Sequence, residues 1–440
     1  MYSYKHIWNV SYPILIGLLA QNIINVTDTA FLGHVGEVEL GASAMGGIYY
    51  FCWFTIFFGF STGAQIIISR RNGEKNYSAI GPIMIQGLIA LLLLALIMIV
   101  LSYFFTGFIM RFMISSEIIW EATMTFLKWR MIGFVFDVFN VMFRAFYVGI
   151  IKTKILTVGP MIMAVTNIFL DYILIFGKFG FPVMGIEGAA IASVISTCIS
   201  ALFYVVYTFF TTDRKKYGFE RIQAIDFQLL KHVLNISVYI MFQYFVSMGV
   251  YFLFFVAIER QGQHALAIAN ITRSIYIFMF IPLNALSAST NTLVSNIIGE
   301  GRIKEVMSLV RRISRLSFYI IAGCVLLLCL FTETVLSLYT NEMSLIHGSV
   351  ASVYVLAVAL LVGSFACPYF NCISGTGNTR SAMILELIVL LIYTIHICLT
   401  AMYFRLPVHV CLTVEIVYFA GLLIGSVLYL RFADWKKKKI

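Results

Sequence analysis

Length, composition and charge place the chain in a membrane before any motif is considered. It has 440 residues, of which 61% are hydrophobic, 15% aromatic and only 11% charged, whereas soluble domains carry about 25% charged residues. This composition excludes a soluble enzyme, a disordered chain and a nucleic-acid-binding domain. The net charge of +10 comes from short polar loops between apolar runs. It therefore indicates how the chain is oriented in a membrane and does not indicate a polyanionic partner.

The apolar runs predict an all-α polytopic membrane protein. A helix needs about 20 apolar residues to cross the bilayer, and the runs are too long and too uniformly apolar for the alternating strands of a barrel. Twelve transmembrane helices are predicted in chain order: 12–33, 44–69, 83–108, 123–149, 157–176, 188–211, 233–257, 266–296, 314–338, 350–374, 383–404 and 408–431.

The loop charges predict the orientation. Of the 30 Lys and Arg residues, 22 fall in alternate loops and termini on one side, 4 fall in the opposite loops and 4 fall inside spans. Because positive charge is retained in the cytoplasm, we expect both termini to be cytoplasmic and the number of spans to be even. The predicted location is the inner or plasma membrane.

The longest polar gap divides the chain into two similar halves. We predict an amino-terminal six-helix lobe at 1–211, a cytoplasmic linker at 212–231 and a carboxy-terminal six-helix lobe at 232–440. When one constant number, here called the repeat offset, is added to residue numbers of the first half, they fall on identical or similar residues of the second half. The matching pairs are Ser61 and Ser287, Ser69 and Ser295, Gly73 and Gly299, Glu74 and Glu300, Gly149 and Gly375, Thr153 and Thr379, and Lys154 and Arg380. Six spans per half make the repeats parallel, an arrangement found in transporters.

The chemistry is concentrated in the first half. Ionisable groups at membrane depth are costly and usually functional. Asp28 lies deep in the first span, and Asn167 and Asp171 share one face of the fifth because they are four residues apart. Ser193 follows a run of small residues in the sixth span, where a neighbouring helix can approach closely. Together these oxygens suit a hard cation such as sodium. They equally suit a proton, because two close carboxylates repel one another.

Four other intramembrane residues have roles that the sequence leaves open. Asp137 lies seven residues from both Arg130 and Arg144, so an ion pair explains it as well as a transport role. Glu386 is expected to pair with a structural partner near Arg380, and Glu415 is not assigned. Pro13 stands fifteen residues before Asp28, where it either ends the first helical turn or lets the span bend.

The cysteines and histidines carry no recognisable site. All eight cysteines lie inside apolar runs, with no C-x-x-C pair and no metal-ligand spacing, so they are interpreted as small apolar side chains.

The first apolar run is too polar and too long for a cleavable signal peptide. No cofactor is predicted apart from a coupling ion.

The sequence resembles the multidrug and toxic compound extrusion (MATE) transporters along nearly its whole length. The matching segments are Asp28-x-x-x-x-Gly33-x-x-Gly36 after an early proline, Gly59-x-x-x-Gly63 running to Ser69 and Gly73, Asn167-x-x-x-Asp171, Gly188-Ala-Ala-Ile-Ala-Ser193, Pro282 followed by Thr290-x-x-Leu293-Val294-Ser295 and Gly299, and Gly375-Thr376-Gly377-Asn378-Thr379.

The resemblance implies a V-shaped pair of six-helix lobes and an antiporter that exports cationic or amphipathic small molecules in exchange for Na⁺ or H⁺. It implies a cation site in the amino-terminal lobe at Asp28, Asn167, Asp171 and Ser193, with serine where threonine is common. Other members carry carboxylates in spans seven and ten, where this chain has Gln243 and Gly363. The expected partners are an organic substrate and the lipid bilayer, and the expected state is a monomer.

Three alternative functions are also considered for a chain with this sequence. A lipid-linked oligosaccharide flippase has a similar fold but a more Arg-rich cavity, for which Arg130, Arg144 and Arg273 are the candidates here. A major-facilitator porter also has two parallel halves of six spans, but its basic signature between spans two and three is absent. A membrane-embedded enzyme would need a metal, nucleophile or nucleotide motif, and the sequence has none.

Overall fold

Twelve long apolar helices make up most of the molecule. The computed structural model describes residues 2–220 and 226–437, and in these ranges twelve helices are long and apolar enough to cross a membrane. They are α1 Tyr4–Val35, α2 Glu37–Gly73, α3 Tyr77–Met113, α4 Glu117–Gly149, α5 Ile155–Phe176, α6 Gly185–Thr211, α7 Phe227–Glu259, α8 Gln263–Gly299, α9 Ile303–Leu330, α10 Met343–Gly375, α11 Thr379–Tyr403 and α12 Val408–Phe432. The predicted all-α fold with twelve spans is confirmed, since no described residue lies in a strand.

The ninth span is the least well predicted. The sequence placed it at 314–338, whereas α9 ends at Leu330 and a separate short helix occupies Thr332–Ser337. It also begins earlier than predicted, because Arg311, Arg312 and Arg315 lower the local hydropathy without interrupting the helix. Backbone hydrogen bonding continues an α-helix past the apolar segment, so hydropathy marks the apolar part of a helix rather than its ends.

Contacts divide the chain into two compact units. The first-half unit comprises Ile16–Met241, and the second-half unit comprises the chain up to Leu15 together with the chain from Phe242 onward. This division differs from the predicted lobes by falling inside α1 and α7, so the lobe boundaries at 211 and 232 stay a prediction. Residues 221–225 of the predicted linker, with Arg221, and the terminal Lys438 and Lys439 lie outside the described residues.

The start of α1 and the start of α7 each pack on a helix of the unit to which they belong. Within the second-half unit, the Ser11 hydroxyl donates to Ser289 Oγ of α8 at 2.8 Å. Within the first-half unit, the Ser237 hydroxyl donates to the Phe60 carbonyl of α2 at 3.1 Å, and Ser237 also packs against Gly63. The repeat offset relates Ser11 to Ser237 and Gly63 to Ser289. The contact of Ser11 with Ser289 in one unit therefore corresponds to the contact of Ser237 with Gly63 in the other.

Glycines at two helix ends confirm the internal repeat. A Cβ added to Gly149 would lie 2.5 Å from Ile68, and one added to Gly375 would lie 3.1 Å from Val294. The repeat offset relates both members of the first pair to those of the second. Each glycine therefore allows the same close approach between two helices, α4 on α2 in one unit and α10 on α8 in the other.

The outer surface is apolar, and the mostly hydrophobic interior also contains many hydroxyl and amide side chains. Large hydrophobic side chains of α3 are exposed, and Phe112 is 90% exposed. Hydroxyl and amide side chains are buried instead, among them Ser61, Ser69, Asn167, Ser237, Thr290 and Ser349. This distribution is the one expected when lipid surrounds the helices and small polar residues join them.

Candidate cation-binding site

The first-half unit brings the four predicted ligand residues together. Asp28 of α1, Asn167 of α5 and Ser193 of α6 line one cavity of about 340 Å³. Asp171, one helical turn after Asn167, is fully buried beside it, and its carboxyl group lies within hydrogen-bonding reach of Asp28. The juxtaposition of spans one, five and six, on which the predicted site depends, is therefore present.

Glycines allow these three helices to approach. A Cβ added to Gly188 of α6 would lie 2.8 Å from the Leu174 carbonyl group of α5, and one added to Gly17 of α1 would lie 2.8 Å from the Leu156 carbonyl oxygen. The small-residue run before Ser193 thus has the packing role that the sequence predicted. Larger side chains at either glycine would push α5 away from its neighbours.

Several buried polar atoms at the site have no hydrogen-bond partner among the described residues. These atoms are Asp28 Oδ1, both carboxylate oxygens of Asp171, and the amide oxygen and nitrogen of Asn167. Buried polar groups are nearly always paired, because leaving one unpaired costs about 1–3 kcal/mol. Five such atoms on three neighbouring residues are the pattern expected of a site that binds an ion or protons.

The contact between Asp28 and Asp171 is unfavourable while both groups are ionised. Carboxylate oxygens only accept hydrogen bonds, so two ionised carboxylates at this distance repel one another. The contact becomes favourable when a proton is shared between the two groups or when both oxygens coordinate a cation. The described residues contain no cluster of three or more His, Cys, Asp or Glu side chains, so amide and hydroxyl oxygens would have to complete any metal coordination here.

Arg130 is part of the site, although its role was not predicted. Its guanidinium interacts electrostatically with Asp28 and lies over the ring of Tyr50 with 3.9 Å between guanidinium carbon and ring centroid. One of its terminal nitrogens, Nη1, is buried without a hydrogen-bond partner among the described residues. The sequence signal was an arginine inside a span, but the spacing could not indicate that it faces α1.

Asp137 is not paired with an arginine among the described residues. The interpretation of its spacing as an ion pair is therefore wrong. The Tyr50 hydroxyl donates a hydrogen bond to the Asp137 carboxylate, and Arg144 lies over the ring of Phe58 instead. Seven residues span about 10 Å along a helix, too far for direct pairing. A 3₁₀ turn at Met131–Gly133 separates Arg130 from the helical segment that carries Asp137. Asp137 lines the same cavity.

Aromatic side chains form much of the remaining cavity wall. The lining includes Tyr50, Phe51, Phe54 and Phe126, together with Met163. A cavity with apolar rings and a few converging charges binds amphipathic molecules, because the rings bury apolar surface and the charges orient it. The wall therefore suits an aromatic organic solute next to the ion-binding residues.

The carboxylates of the second half have hydroxyl partners that the sequence did not specify. Glu386 accepts hydrogen bonds from Ser247 and Tyr418 and is not paired with Arg380. Glu415 accepts hydrogen bonds from Tyr393 at 3.1 Å and from Tyr276 at 3.4 Å. Tyrosine hydroxyls, which hydropathy treats as part of the apolar spans, donate to both groups.

The first-half site has no copy in the second half. The repeat offset carries its four ligand positions onto Phe254, Tyr393, Ile397 and Phe419. None of these side chains is a carboxylate or an amide. The two halves share their packing contacts but not this chemistry.

Pro13 lies inside a helix rather than at its frayed start. α1 begins at Tyr4, so two full turns precede the proline. Proline has no N–H for the i−4 carbonyl and weakens the helix locally. The interpretation that Pro13 merely ends the first turn is therefore wrong, and bending stays a prediction.

Comparison with known proteins agrees with this fold. The MatE family profile matches residues 13–173 and again residues 239–400, once in each half, and the repeat offset carries the start of the first match onto the start of the second. Twelve spans in two matching halves define a membrane transporter. The chain belongs to the MatE family, which is a family of transporters and not of enzymes.

Relatives and solved structures of this family resemble the chain over most of its length. A "probable multidrug resistance protein NorM" of Thermotoga maritima is 25% identical, with 87% of this chain and 82% of the relative covered. A protein of the same description from Idiomarina loihiensis is 25% identical, with 86% and 81% covered. The outward-facing structure of a multidrug resistance MATE transporter of the MOP superfamily has a TM-score of 0.90 and 19% identity, covering 99% of this chain and 97% of that one.

Proposed function

We propose that the protein is a secondary active antiporter that exports cationic or amphipathic small molecules in exchange for Na⁺ or H⁺, and that it acts as a monomer. The observation that carries the proposal is the group of unpartnered buried atoms on Asp28, Asn167 and Asp171, next to an aromatic-walled cavity of about 340 Å³. The relatives described as multidrug resistance proteins support the substrate class.

The charge balance of the site favours one monovalent cation. The two ligand carboxylates, Asp28 and Asp171, when ionised face one guanidinium, that of Arg130, which leaves one negative charge on these three groups. Asp137, which lines the same cavity, is hydrogen-bonded to the Tyr50 hydroxyl. Na⁺ would be held by the two carboxylates, the Asn167 amide oxygen and the Ser193 hydroxyl, which are hard oxygen ligands. A single proton shared between the carboxylates would neutralise the same charge.

Exchange follows from the cost of charge inside a membrane. With no cation bound, the site keeps a net negative charge at membrane depth, which is unfavourable. A bound ion, or a cationic substrate in the adjoining cavity, relieves that cost. Ion and substrate therefore compete to neutralise the same carboxylates, and the gradient of the ion drives the substrate outward.

Substitution of the two carboxylates tests this function. We expect Asp28→Asn and Asp171→Asn each to abolish ion-driven export from proteoliposomes while the protein still inserts, because each removes a charge that must bind and release a cation. Asn167→Ala should weaken ion affinity less, since it deletes a neutral ligand. The readouts are drug counterflow and drug-stimulated Na⁺ or H⁺ flux.

A matched control is Asp213→Asn, which changes a carboxylate whose exposed side chain accepts a hydrogen bond from the Lys216 amide. This variant should transport normally. Full efflux by both Asp28→Asn and Asp171→Asn would remove the site from consideration. Uptake of lipid-linked oligosaccharide instead of drug would favour the flippase, although Arg130 is the one arginine lining the described cavity.

A further inference from the structure

The second-half unit buries a carboxyl group that the proposed exchange does not use. Glu386 of α11 is only 4% exposed. Its Oε1 accepts a hydrogen bond from the Tyr418 hydroxyl of α12 at 2.8 Å, and the Ser247 hydroxyl of α7 lies at 2.8 Å from the same oxygen. The side chain of Gln243, one turn before Ser247, is also within hydrogen-bonding reach of the carboxyl group.

Counting hydrogens shows that these neighbours do not satisfy an ionised carboxylate. The single proton of the Ser247 hydroxyl is shared between Glu386 and the Gln243 backbone carbonyl, 2.9 Å away. Glu386 Oε2 is buried with no donor among the described residues. Gln243 Oε1 is likewise buried with no donor in the described part of the chain. One proton on Glu386 Oε2 would turn this buried oxygen, which has no donor in the described part of the chain, into a donor itself.

The surroundings contain no positive charge that would favour the ionised form instead. The groups that interact with Glu386 or with its partner Tyr418 are Cys367 and Glu415, in addition to Ser247 and Gln243. Among the described residues, none of these neighbours is basic. A buried carboxylate without a counter-charge is costly, and binding a proton removes that cost.

We propose that Glu386 is a proton-binding site of the second half, separate from Asp28 and Asp171. A proton taken from water forms the Oε2–H bond, which becomes a donor towards the neighbouring Gln243 side-chain amide, while Oε1 keeps the hydrogen bond from Tyr418. Release returns the proton to water and leaves the carboxylate held by Tyr418 and Ser247. Proton occupancy of Glu386 stands on this geometry alone, whereas its use in transport rests on the proposed antiport.

Infrared difference spectroscopy of the purified protein tests proton occupancy directly. We expect a carbonyl band of a protonated carboxyl group that shifts in D₂O and is lost in Glu386→Gln, an isosteric change that still accepts from Tyr418. The matched control is Glu415→Gln, which removes another tyrosine-bound carboxylate of the same unit and should leave the Glu386 band in place. A spectrum unchanged by Glu386→Gln would overturn the proposal.

A second variant separates protonation from a merely structural contact. Gln243→Leu keeps the size of the side chain but removes the acceptor, so the carbonyl band should move in frequency without being lost. Equal spectra for Gln243→Leu and the unsubstituted protein would contradict the assigned hydrogen bond. Normal thermal stability of Glu386→Gln keeps both comparisons interpretable.

Coupling of Glu386 to substrate binding is tested in the Asp28→Asn/Asp171→Asn background. Proton release on adding an organic cation such as ethidium should persist there and disappear when Glu386→Gln is added. If the first-half variants export drugs normally, the proposed antiport site fails while the infrared result still decides Glu386. If the infrared band is absent, the Glu386 proposal fails whatever the export assay gives.

Discussion

At the scale of single residues, the sequence indicated the ligands better than their environment. Asp28 stands out as a charge in an apolar run, and Asn167 and Asp171 share a face by their spacing alone, so all three could be chosen without a structure. The position of Arg130 beside Asp28 could not be predicted from the sequence, because it depends on the 3₁₀ turn at Met131–Gly133. That turn changes which way the two parts of α4 face.

The guanidinium of Arg130 should weaken cation binding at the first-half site. A like charge about 8 Å from a bound cation costs about 2 kcal/mol at an effective dielectric constant of about 20, and a closer one costs more. Arg130→Gln is therefore expected to tighten binding of Na⁺ or H⁺ by roughly 10-fold or more. Isothermal titration with Na⁺ at several pH values measures the change.

The control for that measurement is Arg144→Gln, which removes an arginine whose guanidinium lies over Phe58, away from Asp28. Its cation affinity should match that of the unsubstituted protein. Weaker cation binding by Arg130→Gln would contradict the proposed charge balance and would make Arg130 a structural partner of Asp28.

At the scale of helices, hydropathy and small residues predicted which segments cross the membrane and where they approach closely. The small residues before Ser193 indicated a close contact, and Gly188 does lie against α5. Exact helix ends could not be predicted, because α9 continues through Arg311, Arg312 and Arg315 on backbone hydrogen bonding alone. Nor did the sequence indicate that tyrosine hydroxyls would donate to Glu386 and Glu415.

Close packing at Gly188 should set the geometry of the site. Gly188→Ala places a methyl group 2.8 Å from the Leu174 carbonyl, so α5 or α6 must shift at a cost of about 1–3 kcal/mol. Because α5 carries Asn167 and Asp171, we expect lower thermal stability together with weaker ion affinity. Gly323→Ala of α9 is the matched control, since an added Cβ there meets no atom within 4 Å. Equal stability and affinity in the two variants would show that this contact does not hold the site.

At the scale of the whole molecule, the repeat was predictable and the contact units were not. The single repeat offset relates the glycine contacts, the serine contacts and the two family matches. The unit boundaries, however, fall inside α1 and α7, where no polar gap marks them. Long-range contacts such as that between Ser11 and Ser289 decide this division, and local composition does not encode them.

The orientation of the whole chain is predicted from its loop charges. A reporter fused after Lys436 should lie in the cytoplasm, because 22 basic residues fall on that side and 4 on the other. Phosphatase and fluorescent-protein fusions at this position distinguish the two orientations. Matched fusions in the loop before Glu117 should give the opposite result. A periplasmic or extracellular signal at Lys436 would reverse the predicted topology.

The whole-molecule arrangement also predicts where α1 bends. Its start belongs to the second-half unit and the remainder to the first-half unit, with the boundary after Leu15. Pro13 removes a backbone hydrogen bond two residues before that boundary. Since ion binding changes the charge at Asp28, we expect Na⁺ or low pH to change the bend of α1 beyond Pro13.

Spin labels at Val26 of α1 and Leu93 of α3, both exposed, measure this bend within the first-half unit. We expect their distance to change on adding Na⁺ or lowering the pH, and to change less in Pro13→Ala. The Ser11→Cys/Ser289→Cys pair, whose hydroxyls are 2.8 Å apart, should form a disulfide that leaves the change intact, because the crosslink fixes only the segment before the proline. Constant distances in a variant that still transports would exclude bending and leave motion of whole units as the explanation.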